Sequence, residues 1–326
     1  MKDIDVLKNL DKLPLSKATK STYRSSLKRV IKTVKGINYD EVEFGDDEQI
    51  FRIITNYKKS ADILKDRLEN DSTLQATIAV IAKVMTTYGL DSKKKTKKIY
   101  EKWTSDLLEV TKRLEERNKQ QTPTERQSEK MICWDEVKEQ LAIEAKKDPY
   151  SETHVLLALL RAYPRRVRDL SRLRIVQDKE EDELFDDSNR IRLYGRNPTL
   201  VIKDFKMAKK MGEFEDQIPK DLIKVIRGSL KRNDRNYLFI RSSDQLPYDD
   251  NLKGSHAFQQ RVSYLLTKAF NRKITTNSLR HAVASDVVKK YGTELSFAEG
   301  EKIANKLGHS FQRLQLYAHR ENVENC

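Results

Sequence analysis

Apolar residues recur every three or four positions along most of residues 16–118, which is the spacing of one buried face of an α-helix. The pattern is clearest in STLQATIAVIAKVMTTYGL, where Leu74, Ile78, Ile81 and then Val84 or Met85 follow one another at this interval. About four segments of this kind follow in succession before residue 119. Because each segment has one apolar face to bury, the sequence predicts a small helical bundle.

This periodicity stops in KQQTPTERQSEKM, which begins at residue 119 and is rich in Gln, Thr and charged residues. Such a composition is typical of a linker. A chain of 326 residues also exceeds the usual size of one hydrophobic core. We therefore predict two domains, 1–118 and 134–326, joined by a linker at 119–133.

The second domain combines helices with a few strands. Helical patterns resume in ICWDEVKEQLAIEAKK and SETHVLLALLRAY, and Ser151 is a plausible N-cap of the latter. Three short segments, RIRLYGR, TLVIKDFKM and GEFEDQIP, have the composition of strands, and the last two are joined by a turn around AKKMG. Four further helical segments follow. The predicted class is mainly α with a small antiparallel β-sheet, an α+β fold.

The net charge favours a polyanionic partner. Lys and Arg number 64 against 50 Asp and Glu, which gives a formal charge of +14 at pH 7. Double-stranded DNA is the leading candidate, because a strongly basic domain gains affinity by neutralising phosphates. The alternative is that the dense charge only maintains solubility.

Several other classes of protein lack support in the sequence. The two cysteines have no CxxC spacing for a zinc site, and no Gly-rich phosphate loop, HExxH or GxSxG motif is present. We therefore expect no metal and no cofactor. The first residues lack the apolar core of a secretory signal, and HVLLALLRAY is too short to cross a bilayer. We expect an intracellular protein without a membrane segment.

Four short motifs occur in order along the second domain: Arg166-Val167-Arg168-Asp169-Leu170, Leu279-Arg280-His281, Leu307-Gly308-His309 and Tyr317-Ala318-His319. Each motif alone has an ordinary explanation. Arg166 could pair with Asp169 on a helix surface, and Tyr317 could be a half-buried aromatic residue. Together, in this order and spacing, the motifs resemble those of the tyrosine recombinase (phage integrase) family. The resemblance covers about residues 134–320.

The resemblance implies a helical core-binding domain, residues 1–118, followed by a catalytic domain. It also implies a DNA strand transferase that works without a metal through a 3′-phosphotyrosine intermediate. Tyr317 would be the nucleophile, and Arg166 and Arg280 would hold the phosphate. His309 would bind the phosphate or assist proton transfer. A lysine in the hairpin between the second and third predicted strands would protonate the leaving oxygen. Three lysines lie there, of which the first is favoured: Lys206, Lys209 and Lys210.

The sequence departs from the family pattern at two places. The family's HxLRH box reads Asn277-Ser278-Leu279-Arg280-His281, so Asn replaces the first His. Asn can donate a hydrogen bond but cannot shuttle a proton. Tyr317 follows His309 by eight residues, about one fewer than the family pattern. We expect Asn277, His281 and Lys210 to make weaker contacts with DNA phosphates.

The resemblance also suggests how the protein assembles. It implies a homotetramer in a synaptic complex on DNA, and a monomer or weak dimer without DNA. A narrower likeness, carried by PTERQSEKMICWDEV and FKMAKKMGEFEDQIP, links the chain to integrases of mobile elements and large DNA viruses. The protein would then act on DNA in a prokaryotic cytoplasm, or in a host nucleus or viral compartment. Two alternatives stay open: a type IB topoisomerase, and a catalytically inactive DNA-binding protein of the same fold.

Overall fold

The chain divides into two units, Met1–Lys119 and Gln120–Cys326, in the computed structural model of the protein. The structure describes residues 15–36, 47–120, 122–248, 252–291, 294–311, 314 and 318. Within these residues the first unit consists of five helices. They are α1 (Lys17–Lys35), α2 (Asp47–Thr55), α3 (Tyr57–Arg67), α4 (Asp71–Thr87) and α5 (Lys94–Lys119).

Local capping and one buried face explain the main helices of this unit. Ser16 begins α1 and accepts a hydrogen bond from the Thr19 amide at 3.2 Å. Asn70 caps α4 in the same way, through the Thr73 amide at 3.0 Å. The apolar face predicted for α4 is confirmed, because Leu74, Ile78, Ile81, Val84 and Met85 are all buried in one core.

The segment between residues 48 and 68, which has one continuous helical pattern, forms two helices instead. The break falls at Asn56, whose backbone is not helical (φ −90°, ψ 64°). Two side chains occupy carbonyls at the end of α2: Trp103 donates to Ile54 at 3.0 Å, and Ser60 donates to Ile53 at 2.7 Å. These tertiary hydrogen bonds satisfy the end of α2.

A polar cluster lies beside this break. The Tyr57 hydroxyl donates to Asp106 at 2.8 Å, and Lys65 donates to the other carboxylate oxygen at 2.7 Å. Burial raises the pKa of Tyr57 to about 12, and its hydrogen bond to the Asp106 carboxylate acts in the same direction. The hydrogen bond from Tyr57 to Asp106 therefore stabilises the folded unit only while the phenol is protonated.

Replacing Tyr57 by Phe should lower the free energy of unfolding by about 1 kcal/mol at pH 8, because the Asp106 carboxylate loses a donor. The folded pKa is raised, so this contribution is complete below about pH 10 and is lost as the pH rises through 12. Urea denaturation of the full-length protein at pH 8 and pH 11 measures it. Tyr23→Phe is the control, because within the described ranges its hydroxyl makes no hydrogen bond. An equal loss for both variants would contradict the role of the cluster.

In the second unit, helices surround a small sheet. Its helices before the sheet are α6 (Glu125–Ser128), α7 (Trp134–Lys147), α8 (Glu152–Ala162) and α9 (Val167–Leu170). The sheet region contains β1 (Arg174–Val176), α10 (Lys179–Leu184), β2 (Arg190–Arg192), β3 (Thr199–Ile202), α11 (Ala208–Met211) and β4 (Phe214–Gln217). The helices after it are α12 (Lys220–Arg232), α13 (Leu252–Phe270), α14 (Thr276–Tyr291) and α15 (Phe297–Leu307).

The predicted class, mainly helical with one small sheet, is confirmed. The three expected strands are β2, β3 and β4, and they pair antiparallel in that order. A fourth strand, β1, pairs parallel with β2, so the sheet is mixed rather than purely antiparallel. β1 has only three residues, which is too short for an alternating pattern to reveal it. The predicted turn around AKKMG contains the one-turn helix α11 and then Gly212, with φ 75°.

Residues after Gln120 pack into the second unit. Ile132, within the interval expected to be a linker, is buried in the same core as Leu156 of α8 and Leu200 of β3. Thr124 and Gln127 form a capping box at the start of α6. The predicted N-cap at Ser151 is confirmed by its hydrogen bond from the His154 amide at 3.2 Å. Over the described ranges, no helix is long and apolar enough to cross a membrane.

Candidate active site

The C-terminal end of α15 is where most of the candidate site residues meet. The helix begins with a capping box formed by Ser296 and Glu299, and it ends at Gly308 in the left-handed conformation (φ 69°). The last carbonyls of an α-helix have no partner within the helix and carry its partial negative charge. These carbonyls therefore offer acceptor positions to cationic side chains.

Three arginines donate to carbonyls at this helix end. Arg165 Nη2 donates to the Asn305 carbonyl at 2.6 Å. Arg166 Nη1 donates to the carbonyl of Gly308, and Arg280 Nη2 donates to the carbonyl of Leu307, each at 3.0 Å. Guanidinium groups suit this position because they carry positive charge and several directed N–H groups. Residues far apart in sequence thus share one small region.

The backbone around Arg166 explains how two adjacent arginines take different positions. Helix α8 ends at Ala162, two residues before Pro164, as expected because a residue that precedes proline avoids the helical conformation. Arg166 is extended (φ −68°, ψ 148°) and lies at the N-cap of α9. The Arg165 side chain is fully buried, whereas Arg166 is only half-buried. Arg166 is therefore the more accessible of the two.

Asp169 is the buried acid beside the arginine cluster, which consists of Arg165, Arg166 and Arg280. It is 1% exposed and lies on α9, within the electrostatic reach of Arg165, Arg166 and Arg280. Burial raises the pKa of Asp169, and the three guanidinium groups oppose that change. Arg166 precedes the helix, so an ion pair between two positions of one helix does not describe their relation. The Asp169 carboxylate instead offsets part of the positive charge of all three arginines.

His309 directly follows the helix end. It is 2% exposed, and its Nδ1 lies 3.3 Å from the Ser310 carbonyl oxygen. Arg166 and Arg280 contact the two residues before it. The structure thus brings three of the five predicted catalytic residues to one place: Arg166, Arg280 and His309.

The three candidate lysines lie in the connection between β3 and β4. Lys206, Lys209 and Lys210 are all exposed. Lys206 directly follows Phe205, a buried residue whose ring centroid lies 5.2 Å from the Arg165 guanidinium. Phe205, near the start of this connection, therefore lies next to the arginine cluster.

This connection also contains a fourth lysine, which the sequence motifs do not indicate. Lys203 is half-buried and pairs with Asp186 at 2.9 Å and with Glu213 at 3.2 Å. The hydrogen bond to Asp186 raises the pKa of Lys203. Two carboxylates engage its ammonium group, which sets Lys203 apart from the three exposed lysines.

Asn277 and His281 occupy successive turns of α14 and line one cavity of about 170 Å³. Gln127, Lys130 and Thr275 also line this cavity. Asn277 is exposed and His281 is half-buried, so both can be reached from solvent. The predicted weaker contacts on α14 therefore lie together, next to residues of the α6 segment.

Tyr317, the predicted nucleophile, lies outside the described residues. Its neighbour Ala318 is described and is fully buried in a small apolar cluster with Leu314. Ala284 of α14 and both Ala304 and Leu307 of α15 belong to the same cluster. The residue next to Tyr317 thus packs on the two helices that carry Arg280 and lead to His309.

No group of three or more His, Cys, Asp or Glu side chains suited to a metal ion occurs among the residues that the structure describes. The chemistry available at the α15 end is that of guanidinium, imidazole and nearby ammonium groups. Such groups bind and polarise phosphate oxygens.

Solved structures that resemble this chain include those of a transposon integrase and of a recombinase. The Tn1549 transposon integrase in complex with transposon right end DNA matches with a TM-score of 0.60 and 13% identity, over 98% of this chain and 96% of that chain. The same integrase with a circular intermediate DNA matches with a TM-score of 0.55 and 11% identity, over 97% and 94%. XerA recombinase gives a TM-score of 0.41 and 16% identity, over 98% and 94%.

No protein-family model and no curated protein sequence matches this chain. At these low identities the structural likeness speaks for the fold. The fold is that of these integrase structures, which confirms the fold expected from the resemblance of the four motifs.

Replacing Gly308 by Ala should destabilise the second unit by more than an equivalent change elsewhere. An added Cβ would lie 2.9 Å from Nη1 of the buried Arg165, and φ is +69°. Gly36 is the matched control, because it also ends a helix in the left-handed conformation but its added Cβ would meet its nearest atom at 3.5 Å. We expect about 1 kcal/mol for Gly36→Ala and about 2–3 kcal/mol for Gly308→Ala.

The two tryptophans make this comparison practical. Trp103 lies in the first unit and Trp134 in the second. Urea denaturation followed by fluorescence, in backgrounds that keep one tryptophan each, reports the unfolding free energy of each unit. Equal losses for the two glycine variants would show that the Arg165 guanidinium yields easily.

Proposed function

We propose that this protein is a site-specific DNA recombinase or integrase that cleaves and rejoins DNA through a 3′-phosphotyrosine intermediate, without a metal. The observation that carries the proposal is the convergence of Arg166 and Arg280 on the Leu307–Gly308 backbone, directly before His309, in a chain with the tyrosine-recombinase fold. Each residue alone is unremarkable in a basic protein, but their meeting at one helix end is specific.

The arginines suit the charge that develops during phosphoryl transfer. In the pentavalent transition state, negative charge gathers on the two non-bridging oxygens. Guanidinium groups keep their charge at every physiological pH and can donate two parallel hydrogen bonds. Because Arg166 and Arg280 are already held by backbone carbonyls, little reorganisation is needed when a phosphate arrives.

The remaining groups complete a balanced reaction. The Tyr317 oxygen forms a bond to phosphorus and gives its proton to His309 or to water, while the bond from phosphorus to the 5′-oxygen breaks. A hairpin lysine, with Lys206 first among the candidates and Lys210 next, gives a proton to that leaving oxygen. His309 hydrogen-bonds the phosphate or assists the proton transfer. The reverse sequence, with another 5′-hydroxyl, rejoins the strand.

Double-stranded DNA is the proposed partner. The formal charge of +14 favours it, and the integrase of similar fold was solved in complex with DNA.

Recombination joins two duplexes by four strand cuts, so we propose a homotetramer in the synaptic complex and a monomer or weak dimer alone. We also propose that the protein is intracellular, with DNA, and derives from a mobile element or virus. One neighbour is a transposon integrase, which supports the mobile-element origin.

Tyr317→Phe should abolish a covalent protein–DNA adduct while leaving DNA affinity nearly unchanged, because only the attacking oxygen is removed. A nicked duplex taken from the DNA that flanks the gene serves as the substrate, and denaturing electrophoresis detects the adduct. Tyr291→Phe is the control, since Tyr291 is 48% exposed at the end of α14. An adduct that persists in Tyr317→Phe would assign the nucleophile elsewhere.

No adduct with the wild-type protein, despite salt-sensitive binding of the same DNA, would favour the inactive DNA-binding alternative. Asn277→His would then be the first variant to test for gained cleavage. Relaxation of supercoiled plasmid without site preference would favour a type IB topoisomerase.

Arg280→Lys should slow single-turnover cleavage about 100- to 1,000-fold, because lysine keeps the charge but loses the planar, two-point donor. DNA affinity should change far less. Arg272→Lys is the matched control: Arg272 precedes the same helix, is 44% exposed and pairs with Glu136 on the surface. Cleavage by Arg280→Lys at the wild-type rate would remove Arg280 from the proposed chemistry.

A further inference from the structure

Arg165, the residue before the proposed phosphate ligand Arg166, is a cation in the interior of the second unit. Its side chain is 0% exposed. Burial lowers the pKa of Arg165 to about 10, and the charges of Arg166 and Arg280 act in the same direction, against Asp169. The group is therefore still charged at neutral pH. A buried guanidinium is costly for a protein unless it makes specific interactions, so its contacts indicate what it is retained for.

Both aromatic contacts of this guanidinium lead to the connection between β3 and β4. Its central carbon lies 4.0 Å from the ring centroid of Phe214 and 5.2 Å from that of Phe205. Phe205 follows β3 and Phe214 begins β4, so the two rings flank the stretch 206–213. That stretch contains all three candidate lysines.

The contacts of its nitrogen atoms lead to the other half of the candidate site. Nη2 donates to the Asn305 carbonyl, and Nη1 lies close enough to Gly308 that a Cβ there would be 2.9 Å away. Gly308 immediately precedes His309. One guanidinium therefore contacts the hairpin that carries the lysines and the helix end that leads to the histidine.

We propose that Arg165 is a positioning residue that holds the β3–β4 hairpin, and with it the proton-donating lysine, in register with His309 and the phosphate-binding arginines. This inference rests on the proposed function. It predicts that loss of Arg165 impairs protonation of the leaving oxygen more than phosphate binding.

Only a guanidinium satisfies all of these contacts. Its delocalised charge lies within cation–π distance of two aromatic rings while its nitrogen atoms stay free to donate hydrogen bonds. Lysine at this position keeps the charge but cannot contact two rings and a carbonyl at once. Methionine fills the volume but donates nothing. The two variants therefore remove different parts of the same interaction.

The test compares two substrates that differ in one atom. The first is the duplex used for adduct formation, and the second carries sulfur in place of the 5′-bridging oxygen at the cleaved bond. A thiol has a pKa near 8.5 and leaves without being protonated, so the second substrate does not need the acid. Single-turnover cleavage rates of wild type, Arg165→Met and Arg165→Lys are measured on both substrates.

We expect Arg165→Met to cleave the oxygen substrate about 100-fold more slowly than wild type and the sulfur substrate within about threefold of wild type. Arg165→Lys should show the same contrast between substrates, since charge alone does not fix the hairpin. Arg161→Met is the control, because Arg161 is 47% exposed and its ion pair with Asp221 is long, at 3.8 Å. It should match wild type on both substrates.

Phe214→Leu provides a second variant if both Arg165 variants fail to fold, because it weakens one ring contact and keeps the guanidinium. It should slow cleavage of the oxygen substrate only. For any folded variant, equal losses on both substrates would overturn this inference and assign Arg165 a purely structural role, and so would wild-type rates on both. Failure of the wild-type protein to form an adduct even with the sulfur substrate would overturn the proposed function itself.

Discussion

The hydrogen bonds between three arginines and the last carbonyls of the Phe297–Leu307 helix connect the parts of the second unit that matter for function. A helix end presents acceptors and partial negative charge, and here it is buried rather than solvated. Arg165, Arg166 and Arg280 supply the donors and the compensating charge. Arg166 and Arg280 donate to the carbonyls of Gly308 and Leu307, and Arg165 adds a second donor at the Asn305 carbonyl, which also accepts from the Gly308 amide. The helix end and the Asp169 carboxylate together offset the repulsion among the three guanidinium groups.

The same interactions give the candidate site its preorganisation. An electrostatic catalyst is effective when its donors are in place before charge develops, because reorganisation during the reaction is costly. Arg166 and Arg280 come from separate segments, and their shared partner keeps them close to each other and to His309. Arg165 extends this arrangement to the hairpin between β3 and β4 through its contacts with Phe205 and Phe214. Structural and proposed catalytic roles are thus divided between neighbouring arginines.

The sequence predicts much of this architecture where the signal is local. The buried face of α4 and the N-cap at Ser151 follow from helical spacing and capping chemistry, and both are present. The break at Asn56 depends instead on hydrogen bonds from Trp103 and Ser60, which no local pattern encodes. β1 is stabilised by pairing with β2, and it is too short for a strand pattern to be recognised in its sequence. In each of these cases tertiary contacts override local preference.

The candidate site likewise contains some features that the sequence predicts and others that depend on tertiary contacts. Motif order is sufficient to select Arg166, Arg280 and His309, which the fold brings together. It cannot separate adjacent arginines by role, because burial of Arg165 depends on two aromatic rings some 40 to 50 residues later in the chain. A run such as Pro164-Arg165-Arg166 gives one usable signal: in an extended segment, alternate side chains face opposite sides, so one of two adjacent arginines is expected to point inward.

The proposed function requires that Arg166 and Arg280 bind one phosphate of DNA beside His309. A structure of the Tyr317→Phe protein with a duplex selected for binding from a random-sequence pool tests this most directly. The account predicts one backbone phosphate whose non-bridging oxygens accept hydrogen bonds from both guanidinium groups, with the carbonyl contacts at Leu307 and Gly308 preserved. DNA bound elsewhere on the second unit, with no phosphate within hydrogen-bond distance of either arginine, would contradict it.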